Sequence, residues 1–202
     1  MKTPFLFITF IAFTHSLRAE MDALSNGQAY LAATLAALST PNVEKAPIQV
    51  NAAISKASGM QEDAGAKAIV AIPDESAESM NVANLAPGNL PLCRVWLKGI
   101  ALKLPPAATA NIEQKEVEAE GEKHSVTVWL LGVRKSAEGK PELIVCANQK
   151  EPSLVLPLAS IAEPQAADPD APVQVSMKSE GGKTLLILTL RGTHEVKLEI
   201  EQ

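Results

Sequence analysis

Val126-Thr127-Val128-Trp129-Leu130-Leu131 is apolar or β-branched at every position, and Leu185-Leu186-Ile187-Leu188 repeats the pattern nearer the C-terminus. Runs this short and this rich in Val, Leu and Ile read as strands. A strand with one wet face alternates apolar with polar residues, so a strand apolar at every position needs cover on both faces. The fold therefore contains a sheet with a layer packed on each side. The helices of the first half, or the second sheet of a sandwich, are the candidate layers.

Outward from these runs, the chain from Leu92 onward consists of β-type segments separated by turns. Glu120-Gly121-Glu122-Lys123, Ser136-Ala137-Glu138-Gly139, Glu180-Gly181-Gly182 and Gly192-Thr193 are the hairpin signals, giving about eight strands. A shift of 42 residues superposes Leu131 and Val133 on Val173 and Val175, and Glu138-Gly139 on Glu180-Gly181. Residues 131–160 and 173–202 thus read as two similar three-stranded meanders, from duplication or from two hairpins with alike loops. Trp96-Leu97-Lys98-Gly99 echoes Trp129-Leu130-Leu131-Gly132, and both glycines read as bulges.

Residues 20–86 read as an Ala-rich helical region. Ser25 with Gln28 three positions on is a capping box, and Leu24, Leu31, Leu35 and Leu38 recur at helical spacing until Pro41. Pro47 suits the first turn of a second helix, with Val50, Ile54 and Ala57 on one face and Gly59 as its C-terminal cap. Asp63 is placed to cap a third, and a short helix is expected around Ser76 to Asn84. Ala68-Ile69-Val70-Ala71-Ile72 suits a strand equally well. The expected architecture is α+β: a helical N-terminal region, then a mainly antiparallel β meander or sandwich over 87–202.

Residues 1–19 read as a signal peptide: Lys2, an apolar stretch from Pro4 to Thr14, and Leu17-Arg18-Ala19 before Glu20. The chain is expected to be exported, to a periplasm or to the outside, with no stable membrane insertion once the signal is removed. Removing it leaves 16 basic against 23 acidic side chains, a net charge of −7. An acidic surface with no basic run repels phosphate backbones, so nucleic acid is not an expected partner.

Cys93 and Cys146 are the only cysteines of an exported chain, and each falls in an expected strand. They are expected to form a disulfide between sequence-distant strands; the alternative is a pair of buried thiols. At 53 positions apart they lack the close spacing of a redox pair.

No motif for catalysis, cofactor or metal emerges. His124 and His194 stand beside expected turns without a ligand partner at useful spacing, and read as solvated turn residues. Glu116, Glu118, Glu120 and Glu122 share one face of an extended strand, which suits a solvated hairpin edge better than calcium, whose oxygens converge from a curved loop. Glu163 with Asp168-Pro169-Asp170 forms a second acidic loop, stiffened by Pro164, Pro169 and Pro172. Trp96 and Trp129 lie within Val and Leu runs, as core residues do, rather than as a sugar-stacking platform.

The expected function is non-catalytic: binding of a protein or polysaccharide, or a structural role, through the β domain. Its sign is an exposed apolar patch or an unpaired strand edge. The rival is an exported hydrolase whose carboxylates converge only in the fold. An assembly subunit that works by strand addition is the third possibility.

Overall fold

The computed structural model describes residues 21–38, 45–62, 67–109, 114–119, 122–164, 168 and 171–201. In chain order the elements are β1 (Met21–Ala23), α1 (Asn26–Leu38), β2 (Ser58–Glu62), β3 (Ala68–Pro73), β4 (Leu90–Lys98), α2 (Pro106–Thr109), β5 (Gln114–Ala119) and β6 (Glu122–Lys135). There follow β7 (Pro141–Cys146), β8 (Leu154–Pro157), β9 (Ala159–Ser160), β10 (Val173–Glu180), β11 (Lys183–Leu190) and β12 (His194–Glu199). The first sheet runs β1-β2-β3-β4-β6-β7-β8, with β5 also on β6; the second runs β10-β11-β12-β9. Every pairing is antiparallel.

The run from Val126 to Leu131 is the middle of β6, and it is covered on both faces. Trp129, Leu131 and Val133 join Ile69, Val95, Leu143 and Val145 in a core closed by Leu186, Leu188, Val196 and Leu198 of the second sheet. On the opposite face α1 lays Ala29 and Ala33 over Val70, Ile72, Trp96 and Val128, while Ile48 and Val50 cover Leu130, Ile144 and Cys146. Both candidate layers are therefore present, one on each side. Alanines at the helix contact allow a close approach, and the sheet supplies the bulk, including Ile72, which is fully buried.

Strand β6 has an unusual edge. Along one side it pairs with β4 from Val126 to Val133; along the other, β5 takes Glu122 to Thr127 and β7 takes Leu130 to Lys135. The two partners share one edge end to end, forking the sheet. The expected irregularity at Gly132 falls on the opposing strand, where the β4 register shifts between Pro91 and Cys93. A Cβ on Gly132 would lie 2.7 Å from the Leu90 carbonyl oxygen.

The expected Ala-rich helical region is corrected. The capping box forms, with Ser25 Oγ donating to Gln28 Oε1 at 2.9 Å, and α1 follows. The second expected helix does not form. Ala46, Ile48, Val50 and Ala52 alternate with Pro47, Gln49 and Asn51, and this two-residue period is what the structure obeys. The segment runs extended, with Ala52 bridging to Asp74 and the Ala53 N–H donating to the Pro73 carbonyl, and only Ile54–Lys56 forms a single 3-10 turn. Gly59 sits in β2 rather than at a helix end, and a Cβ there would be 2.4 Å from the Ile69 carbonyl oxygen. The Ala68 stretch is β3, and the helix expected near Ser76 resolves into 3-10 turns at Glu75–Ser79 and Val82–Asn84. Asp63, the signal segment 1–19 and the turn residues Glu120 and Gly121 lie outside the described residues.

The two segments of the expected repeat, 131–160 and 173–202, each contain a three-stranded meander, one per sheet. No helix among the described residues is long and apolar enough to cross a membrane.

Candidate functional site

The expected disulfide is absent: Cys93 and Cys146 are buried free thiols. The pairing explains why. Cys93 on β4 faces Leu131 of β6, while Cys146 on β7 faces Leu130 of the same strand. A whole strand separates them, about 9.5 Å at two strand spacings. Leu130 and Leu131 also point to opposite faces, so one thiol lies in the inter-sheet core and the other under Ile48 and Val50. A disulfide needs Cα atoms within about 7 Å and Cβ atoms that face each other. Burial pushes both thiols up, Cys146 to about 11, and Asp74 adds to the shift at Cys93.

Asp74, which carried no signal in the sequence, is the one buried acid of the described residues, at 5% exposure. It ends β3 and ties three segments together. One oxygen accepts the Asn51 N–H at 2.7 Å; the other accepts the Ser76 N–H at 2.9 Å and its hydroxyl at 2.6 Å. These carboxylate partners are two backbone N–H groups and a neighbouring serine hydroxyl, so the group is structural.

His194 is 6% exposed and burial lowers its pKa, contrary to the solvated turn position expected for it. Its Cα partner on β9 is Ser160. The Ile161 N–H donates to the Thr193 carbonyl next door, so Ser160 and His194 form the close, non-hydrogen-bonded kind of pair. Thr193 Oγ1 donates to the Leu190 carbonyl at 3.3 Å. That leaves it to accept from His194 Nδ1 at 3.0 Å, and Nε2 to accept from Ser160 Oγ at 3.4 Å. The chain of bonds fastens the two-residue β9 to β12. His124 lies in β6 opposite Val117 of β5.

The other acids are spread over the surface. Glu116 faces Lys123, Glu138 faces Lys140 and Glu195 faces Lys197, while Glu199 bridges Lys103 and Lys183. The Lys183 hydrogen bond, with help from Lys103, holds Glu199 below the usual carboxylate range. Glu163 and Asp168 are exposed. Among the described residues no three His, Cys, Asp or Glu side chains group as a metal site. Trp96 and Trp129 are buried, at 5% and 2% exposure, as core residues should be.

Two clefts remain. One, of about 460 Å³, lies where Leu24, Asn26 and Gly59 meet the outer face of the second sheet at Gln174, Ser176 and Glu195. The other, of about 400 Å³, opens between the sheets at the end of β4, beside Trp129. Each contains a single acidic side chain, Glu195 in the first and Glu201 in the second.

The first cleft borders β10, an edge strand that pairs only with β11 among the described residues. The Arg191 N–H donates to the Pro172 carbonyl, which fixes the parity of the ladder: Val173, Val175 and Met177 turn their backbone groups away from β11. The Val173 carbonyl accordingly accepts Ser58 Oγ at 2.6 Å. β8, at an edge of the first sheet, is blunted at one position. Leu158 N–H bonds Pro141, so Val155 and Pro157 face outward, and proline offers no donor there.

No protein-family model, curated protein or solved structure matches the chain.

Proposed function

We propose that this is an exported, non-catalytic binding protein that takes an extended segment of a partner protein along β10. The observation that carries the reading is the outward parity of Val175 and Met177 on a strand edge bordered by a cleft of about 460 Å³. Main-chain hydrogen bonds supply affinity in strand addition, and an adjoining cleft receives alternate side chains of the added strand. The cleft suits that role, with Leu24, Val175 and Ile187 as apolar surface and Asn26, Gln174 and Glu195 as polar groups. Protein is favoured over polysaccharide because both tryptophans are buried and none of the residues lining this cleft is aromatic. The non-catalytic reading is supported by Glu116, Glu138, Glu195 and Glu199, which pair with lysines, and by the single acid in each of the two clefts.

Selection of a random peptide library on the purified chain, with an oligosaccharide panel in parallel, tests this. Val175→Pro removes one outward N–H and no ladder bond, but also trims a side chain packed on the core, so circular dichroism and melting temperature are used to identify a folded variant before binding is compared. Peptides of alternating pattern that bind the parent chain and not Val175→Pro are expected. Peptides held equally by both, no peptides at all, or retention of an oligosaccharide instead would overturn the reading.

A further inference from the structure

The start of α1 carries an inference of a different kind. Asn26 is followed by Gly27, and of the eight asparagines in the chain it alone precedes a glycine. Both residues are exposed. The Gly27 N–H stands in the first turn, where its helical acceptor four residues back would be Ala23, which belongs to β1. Neither that N–H nor the Asn26 carboxamide has a hydrogen-bond partner among the described residues. A nucleophile and an electrophile thus lie side by side, unpinned. The capping box opposes their meeting: the Ser25 N–H donates to Gln28 Oε1 at 3.0 Å and the Gln28 N–H to Ser25 Oγ at 3.4 Å, closing the turn over the pair.

We propose that Asn26 is a site of spontaneous deamidation in the folded chain, with the capping box of α1 as its brake. When the first turn frays, the Asn26 backbone leaves its helical angles, and Gly27, with no β-carbon in the way, brings its nitrogen to Asn26 Cγ. The N–H proton passes to solvent base, the bond from Gly27 N to Cγ forms, and the Cγ–Nδ2 bond breaks as ammonia leaves with a proton from water. No oxidant or reductant takes part. Water then opens the five-membered imide at either carbonyl. Attack at Cγ yields aspartate in a normal chain, and attack at the backbone carbonyl yields isoaspartate, which routes the chain through the side chain and lengthens the turn by one carbon. Either product adds a negative charge to the lining of the cleft beside β10, which includes Asn26 and, as its one acid, Glu195. Aspartate is tolerated at a helix N-terminus, where the dipole favours it, whereas isoaspartate breaks the three-residue spacing of Ser25 and Gln28 on which the box depends. The chemistry is independent of what the cleft receives.

The test ages the folded chain in mildly alkaline buffer and follows each asparagine by peptide mapping, with isoaspartate read by enzymatic methyl transfer. The mass gain of one amide-to-acid exchange is expected at Asn26 before any other asparagine, and both aspartate and isoaspartate should appear. Gly27→Ala has open space for its methyl group and should slow the exchange at least about tenfold. Ser25→Ala removes the hydroxyl of the box and should speed the exchange about fivefold in the folded chain, the effect of a lost N-cap on helix opening, with no change in urea. Circular dichroism identifies the chains that are folded before and after ageing. Exchange that begins at another asparagine overturns the proposal, as does a folded Gly27→Ala chain that matches the parent or a folded Ser25→Ala chain that is no faster. So does a folded parent chain that stays intact through many half-lives of its urea-unfolded form.

Discussion

Replacing Asp74 by alanine removes the acceptor for two backbone N–H groups and one hydroxyl at once, Asn51, Ser76 and the Ser76 side chain. A hydrogen bond to a charged group contributes about 1.5–3 kcal/mol, and bonds that share one acceptor are not additive. Asn51 directly follows Val50, which with Ile48 covers Leu130 and Ile144, so the loss reaches one face of the first sheet. We expect Asp74→Ala to cost about 3–5 kcal/mol, measured as a shift in the urea midpoint at constant slope. For a chain of this size that lowers the melting temperature by roughly 10 °C. Asp74→Asn keeps one oxygen and should cost about half as much. Glu75→Ala, at the exposed neighbour, should stay within about 0.5 kcal/mol. An Asp74→Ala chain within about 1 kcal/mol of the parent, or no difference between the alanine and asparagine variants, would refute the argument.

Cys93 and Cys146 should both alkylate after unfolding without reductant and resist alkylation when folded, because they are unpaired and burial holds their thiols protonated; a mass unchanged by alkylation of the unfolded, unreduced chain would contradict this. His194 has its pKa lowered in the fold, so the unfolded chain binds its proton first and stability should decline as pH falls below about 6.5. His194→Gln should remove that part of the pH dependence in urea titrations, and an unchanged profile would place it elsewhere. Gly59→Ala puts a methyl group against the Ile69 backbone and the Leu24 side chain and should cost about 2–3 kcal/mol. A neutral result by thermal melting would show that β2 and β3 can separate freely.

The C-terminal half was legible because its signals are local. Hairpin glycines mark turns, and Val126 to Leu131 needs cover on both faces whatever the topology. Ala46 to Ala52 was misread because two periods coexist there: Val50, Ile54 and Ala57 fit a helix, while Ile48, Val50 and Ala52 fit an extended chain. Contact with Leu130 and Ile144, a tertiary matter, decides between them. The disulfide failed for a related reason. Assigning both cysteines to strands was right, but strand order and face parity are not written near either residue, and β6 intervenes. Asp74 and Ser160 offered no pattern at all; each acquires its partners from segments distant in the chain.

The fork at β6 divides the amide groups of one strand into two classes of exchange protection. Trp129 stands between Thr127, which pairs with β5, and Leu130, which pairs with β7. Lifting β5 away breaks one side of the first half of β6 and leaves the β4 ladder and the β7 hairpin intact. The β5 hairpin is thus expected to open at less than the global unfolding free energy. Ser125 and Thr127, under that hairpin, line the inter-sheet cleft. The amides of β6 that face β5 are then expected to exchange through that local opening, ahead of those that face β7.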